Sequence, residues 1–201
     1  MTPVPRQSQP PPDPGSESVV GRLVFYEVDR GRWVDLERLF EAPDGPKHCW
    51  CMVWRSMPKG ASRADPQAKK DALESRVRDG VPIGILGYLD REPVPWCSIA
   101  PRTTYRDLGG VNAPGDEPGT IWSLVCFFVP RRLRGQGMAR RIIEAAVVHA
   151  RSRGAKVVEA YPVAPDSPSY RFMGRLTTFR AMGFHEVGTA GTRRHVMRLS
   201  L

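Results

Sequence analysis

The sequence predicts an α/β domain built on a mixed sheet, and three observations carry that prediction. The run TIWSLVCFFV (residues 120–129) is almost unbroken apolar and aromatic sequence, as a strand covered on both faces requires. A glycine-rich turn and an apolar stripe at helical spacing follow, and then a second apolar strand, AKVVEAYPV (155–163). A helix crossing between two strands makes them parallel. Elsewhere strand-like runs are joined by short turns, which makes antiparallel hairpins.

Each element has its own signal. Met1 to Ser18 holds six prolines and almost no large apolar side chain, so it cannot offset its ordering entropy and reads as a disordered tail ahead of a domain over 19–201. RLVFYEVD (22–29) alternates as a strand. RWVDLERLF (32–40) puts Trp33, Leu36, Leu39 and Phe40 on one helical stripe. Asp65 to Asp79 is a second helix, with Pro66 near its start and Gly80 as its stop. VPIGILGYLD and VPWCSIAP form a hairpin turning at Asp90 to Glu92, and Gly109 to Gly119 is a loop. After Gly137, the positions Ala139, Ile142, Ile143, Ala146, Val147 and Ala150 trace one helix face, stopped by Gly154. A shorter helix lies within SYRFMGRLTTFRAMGF (169–184), and GFHEVGTA and RRHVMRLSL close the chain as two strands.

Composition narrows the function classes. A hydrophobic share of 41% and a charged share of 25% belong to a globular chain, and no apolar run reaches the roughly 18 residues that a membrane span needs. Without an N-terminal export signal, the expected location is the cytoplasm and the four cysteines are expected as free thiols. A net charge of +9 steers anionic partners towards the protein, and seven arginines between Arg131 and Arg153 concentrate that charge in one segment.

That segment contains the informative motif, VPRRLRGQGMARRII (129–143). A strand, a glycine-rich turn and a helix start aim several free amides at one point, where the helix dipole adds positive potential. A phosphate fits there, provided that Gly135 and Gly137 keep the backbone bare. A P-loop is rejected, because Gly137 is followed by Met138 and Ala139 instead of Lys-Ser/Thr. A dinucleotide fingerprint, with Glu159 as its acidic residue, is disfavoured by Arg140 at the third glycine position.

The run Arg134-x-x-Gly137-x-Ala139, set between an apolar strand and a long helix, resembles the acetyl-CoA pyrophosphate loop of the GNAT superfamily of N-acetyltransferases. FRAMGF (179–184) resembles that family's later helix end, and the order of elements from about Val19 to Leu201 matches its fold. The resemblance implies a mostly antiparallel sheet with a central splayed parallel strand pair, flanked by helices. It implies an acyltransferase that moves an acetyl group from acetyl-CoA to an amine of an unidentified acceptor. Phe127, Phe128 and Val129 would hold the pantetheine arm, with a β-bulge near Phe127 or Phe128. Arg134, Gly135, Gln136, Gly137, Met138, Ala139 and Arg140 would hold the diphosphate. The partners implied are acetyl-CoA and the acceptor; a homodimer is compatible with the sequence, and neither nucleic acid nor membrane is expected.

Many members of the family carry a tyrosine general acid four residues before the Gly-Phe pair, where this chain has Phe179. Tyr170 and Tyr161 are the candidate substitutes, each with core packing as its alternative. Glu159 is the candidate base, with a salt-bridged strand residue as its alternative, and alternation places it on one face with Tyr161. Asp116 and Glu117 could bind a cationic acceptor. In HCWCMVWR (48–55), zinc is set aside because no second Cys/His pair accompanies the first. Trp50 and Trp54 there, with Trp96, either wall an acceptor pocket or pack in the core. A basic nucleic-acid-binding module and a non-catalytic CoA-binding protein remain as alternative functions.

Overall fold

The computed structural model describes residues 23–201; the tail expected over 1–18, and the first residues of the domain expected over 19–201, lie outside the described residues. The elements are β1 (Leu23–Glu27), α1 (Trp33–Glu41), α2 (Pro66–Arg78), β2 (Ile85–Leu89), β3 (Glu92–Pro101), β4 (Ile121–Phe128), α3 (Met138–Ser152), β5 (Val157–Ala160), α4 (Leu176–Ala181), β6 (His185–Ala190) and β7 (Arg194–Ser200). The strands form one sheet in the order β1-β2-β3-β4-β5-β7-β6, antiparallel except at β4 and β5.

Local chemistry accounts for the element ends. The Asp65 carboxylate caps α2 by accepting from the Gln67 amide at 2.9 Å, and Pro66 occupies the first turn, where no amide is missed. The β2–β3 hairpin turns at Asp90 and Arg91, both at positive φ. Helices cover both faces of the sheet. On one, α1 buries Trp33, Leu36, Leu39 and Phe40, with Leu73 of α2, against Leu86 and Trp96. The Phe40 ring lies 5.3 Å from that of Trp50 and 5.6 Å from that of Trp96. On the other, Ile142, Ile143 and Ala146 of α3 and Phe179 of α4 pack on Ile99, Leu124 and Val158. Each Val, Leu, Ile or Phe among them contributes about 1.5–3 kcal/mol on burial.

Two irregularities shape the middle of the sheet. Ser98 pairs with Cys126 and Ile99 with Leu124, so Val125 is an extra residue in β4. The bulge therefore sits at Val125, slightly before the expected Phe127 or Phe128. It resets the alternation of faces: Val125 and Cys126 both join the α1 side, Phe127 the α3 side and Phe128 the α1 side. The second irregularity is in β5, whose ladder with β4 runs only from Ile121/Val157 to Leu124/Ala160. Pro162 has no amide to continue it. The chain beyond instead joins β7, with the His195 amide donating to the Pro162 carbonyl at 2.9 Å.

A buried ionic network fastens β5 to β7 and to the 109–119 loop. Arg198 donates from Nε to Glu159 Oε2 at 2.8 Å and from Nη2 to Asp116 Oδ2 at 2.8 Å, and it also donates to the Val111 carbonyl. Arg102 reaches Glu159 at 3.4 Å, and the Tyr161 hydroxyl donates to the same carboxylate. The Arg198 guanidinium, assisted by the Ala113 amide, holds Asp116 below the usual carboxylate range. A depressed carboxylate stabilises the fold above its unfolded pKa of about 3.9 and loses that contribution as the pH falls. Asp116→Asn is therefore expected to cost about 1.5–3 kcal/mol in urea unfolding at pH 7 and pH 5, with the gap from wild type closing below about pH 4.

Candidate active site

Where β4 and β5 part, a cavity of about 820 Å³ opens, walled by residues from both faces of the sheet. Val125 to Val129 form one side of it. Among the described residues, no strand replaces β5 beside this end of β4. At one end lies the glycine turn: Arg134, Gly135, Gly137, Met138 and Ala139. Gly135 and Gly137 have φ of +78° and +71°, and a Cβ on either would project into open space. The backbone is bare on its open side, as contact with an anion requires.

Hydrogen bonding supports the same use of the turn. Among the described residues, the amides of 135–139 have no backbone acceptor, and Gly137 offers no side-chain cap to α3. Arg134 braces the turn, its Nε donating to the Val129 carbonyl at 2.9 Å. Two expected contributors stand outside the cavity wall. Arg140 already donates its amide to the Gly137 carbonyl at 3.1 Å and pairs its side chain with Glu144, while Gln136 donates to the Arg132 carbonyl at 3.0 Å.

The opposite end is built from the segment around HCWCMVWR. Cys49, Cys51, Val53 and Trp54 wall the cavity together with Arg171 and Phe172. Arg55 anchors the segment: fully buried, it donates to the Ile83 carbonyl at 2.9 Å and to the Tyr105 hydroxyl at 3.0 Å, with that ring stacked 4.2 Å from its guanidinium. Trp50 and Cys51 both adopt positive φ, at 46° and 50°, a conformation that costs non-glycine residues of order 1–3 kcal/mol each. Of the three tryptophans considered, only Trp54 walls the cavity; Trp50 and Trp96 pack in the core. The buried Trp54 Nε1 has no hydrogen-bond partner. Among the described residues, no group of three or more His, Cys, Asp or Glu is arranged to hold a metal ion.

The candidate catalytic residues divide. Glu159 and Tyr161 are fully buried in the ionic network and do not wall the cavity, because Arg198, Arg102 and each other occupy their polar atoms. Burial and the neighbouring Glu159 push the Tyr161 phenol well up, away from proton exchange near neutrality. Asp116 belongs to the same network, and Glu117 pairs with Lys156 on the surface. Tyr170 does not wall the cavity either, but its half-buried ring lies 6.2 Å from Trp54 and 6.1 Å from Phe172, both of which do. Arg194 lies over Trp54 at 4.2 Å and Tyr170 at 5.7 Å. Sequence reasoning missed Arg171, Phe172, Gly174 and Arg175, which the loop after β5 brings to the wall, and Arg194 of β7, which packs against Trp54 of that wall, since nothing local marks either.

Phe179 occupies the cavity wall with its ring 6.1 Å from Phe127 and 5.1 Å from Phe184. It is packing, with no proton to give.

The architecture has counterparts among known proteins. Ribosomal-protein-alanine N-acetyltransferase from Brucella melitensis is 20% identical, with 89% of this chain and 99% of that one covered and a TM-score of 0.55. An acetyltransferase from Thermus thermophilus is 18% identical, covering 90% and 99%, with a TM-score of 0.55. AAC(6')-Ib in complex with paromomycin and acetyl-CoA is 12% identical, covering 89% and 93%, with a TM-score of 0.57. At these identities the likeness establishes the fold. No curated protein sequence matches the chain. The model of the acetyltransferase (GNAT) family matches residues 49–179, from the cysteine-tryptophan segment at one end of the cavity to Phe179 in its wall. The parted parallel strands and the glycine turn both fall within that match, and the chain belongs to the GNAT acetyltransferase family.

Proposed function

We propose that the protein transfers the acetyl group of acetyl-CoA to the amine of an acceptor that enters beside Trp54 and Phe172. The observation that carries this reading is the continuous cavity joining the bare-amide turn to an aromatic end through the gap between β4 and β5. When bound, acetyl-CoA supplies an activated thioester. The residues of the chain then have distinct tasks. The amides of 135–139 and the dipole of α3 hold the diphosphate. The free edge of Val125 to Val129 receives the pantetheine as an added strand, and the Val129 amide is the candidate donor to the developing oxyanion. Holding the two reactants in one cavity makes their meeting effectively unimolecular.

A proton must leave the amine and another must reach the departing thiolate. Tyr170 is the proposed donor, since its ring packs directly behind Trp54 and Phe172 of the wall and Phe179 cannot serve. Glu159 and Tyr161 are proposed to position β5, β7 and the 109–119 loop.

The wall also bears on the acceptor. It includes Arg134, Arg171 and Arg175 and no carboxylate, so a polycationic acceptor finds no counter-charge there. The proposed acceptor class is an amine of low positive charge.

Thiol release from acetyl-CoA, screened against amino acids, peptide amines, polyamines and aminoglycosides, tests the reading. Turnover is expected with the first two groups in preference to the last two, whereas no release with any amine would leave only cofactor binding. Tyr170→Phe is expected to lower kcat by about 10²–10⁴-fold with little change in acetyl-CoA affinity, and an unchanged kcat would remove Tyr170 from the mechanism. Gly137→Glu puts a carboxylate at the anion site; calorimetry is expected to show acetyl-CoA affinity falling by about tenfold or more while the far-UV spectrum is retained.

A further inference from the structure

Three of the four cysteines wall the cavity: Cys49, Cys51 and Cys126. Nothing in the proposed acetyl transfer uses them. The Cys51 and Cys126 sulfurs lie 3.1 Å apart, although the residues are 75 positions apart in sequence. Two devices of the fold create this approach. The extra residue at Val125 turns Cys126 to the α1 face of the sheet, where Cys51 also packs. The positive φ of Trp50 and Cys51 turns the loop towards β4. On its other side Cys51 Sγ accepts from Trp96 Nε1 at 3.1 Å, so the sulfur is held in place.

From this geometry we infer that Cys51 and Cys126 are an oxidative modification site, forming a reversible disulfide that ties the 49–55 segment to β4 across the cavity. Hydrogen peroxide is the oxidant class with access, being small enough to enter. One thiol gives an electron pair to the peroxide, becoming a sulfenic acid with release of one water. The second sulfur attacks that S–OH group, the S–S bond forms, and its proton leaves with the hydroxide as a second water. A thiol or dithiol reductant reverses the bond by exchange.

Both thiols are buried, and the Cys51 thiol is pushed up first by its hydrogen bond to Cys126, so oxidation is slower than that of fast peroxidatic thiols. Cys97 is buried outside the cavity wall and takes no part. Closing the sulfurs to the roughly 2.05 Å of a disulfide draws the segment onto the strand that, on the acetyl-transfer reading, receives the pantetheine.

The test uses the full-length reduced protein, incubated with hydrogen peroxide, alkylated and mapped without reduction. A Cys51–Cys126 linked peptide is expected, with alkylatable thiols falling from four to two and returning on treatment with dithiothreitol. Cys49→Ser is expected to retain the link, and Cys126→Ala and Cys51→Ala each to abolish it. Four persisting thiols, or a link through Cys49, would overturn the assignment. Calorimetry supplies the second arm: acetyl-CoA affinity is expected to fall at least fivefold on oxidation and to recover on reduction, and equal affinity in the two forms would overturn the functional consequence. The linked peptide decides the chemistry whether or not the reduced protein binds acetyl-CoA.

Discussion

β4 and β5 share hydrogen bonds only as far as Leu124 and Ala160, and the rest of the site depends on that early parting. A sheet that stayed zipped would bury its polar edge and leave no interior space between the two helical layers. Here the edge of Val125 to Phe128 is left without a β5 partner, and residues from both faces of the sheet wall the gap. The cause is local. Pro162 cannot donate to the ladder, and the extra residue at Val125 turns β4. Neither feature would be tolerated by a regular central strand, so both reflect the site more than the stability of the sheet.

The separated strands have to be held from outside. Arg198, Arg102, Glu159 and Asp116 do this for β5 and β7, at the desolvation cost of a buried ionic cluster. On the other side, Arg55 holds the cysteine-tryptophan segment through carbonyl and hydroxyl acceptors, without a carboxylate. The cavity thus has one charged and one aromatic support. Its own wall carries cations at the glycine turn and near Phe172, which suits an anionic cofactor.

Much of this was legible in the sequence. The order of elements follows from apolar periodicity, and α3 was marked at both ends by Gly137 and Gly154. Phe127 to Val129 and the glycine turn fell into one cavity wall, because strand, turn and helix are contiguous and their geometry is local. The remainder depends on distant pairing. Glu159 and Tyr161 share a face, as alternation requires, but that face meets Arg198 and Arg102, which sequence spacing could not reveal. The same holds for Arg194 over Trp54 and Tyr170, and for Cys51 against Cys126, each a contact between segments far apart in the chain.

The claim at the centre of this account is that unpartnered amides at the start of α3 grip the diphosphate of coenzyme A. Hydrogen–deuterium exchange with and without saturating coenzyme A measures it most directly. The account expects the strongest slowing in residues 135–139, with a second region at Val125 to Val129. Unchanged exchange at the glycine turn, with protection confined to the smaller pocket around Arg102 to Asn112, would contradict it.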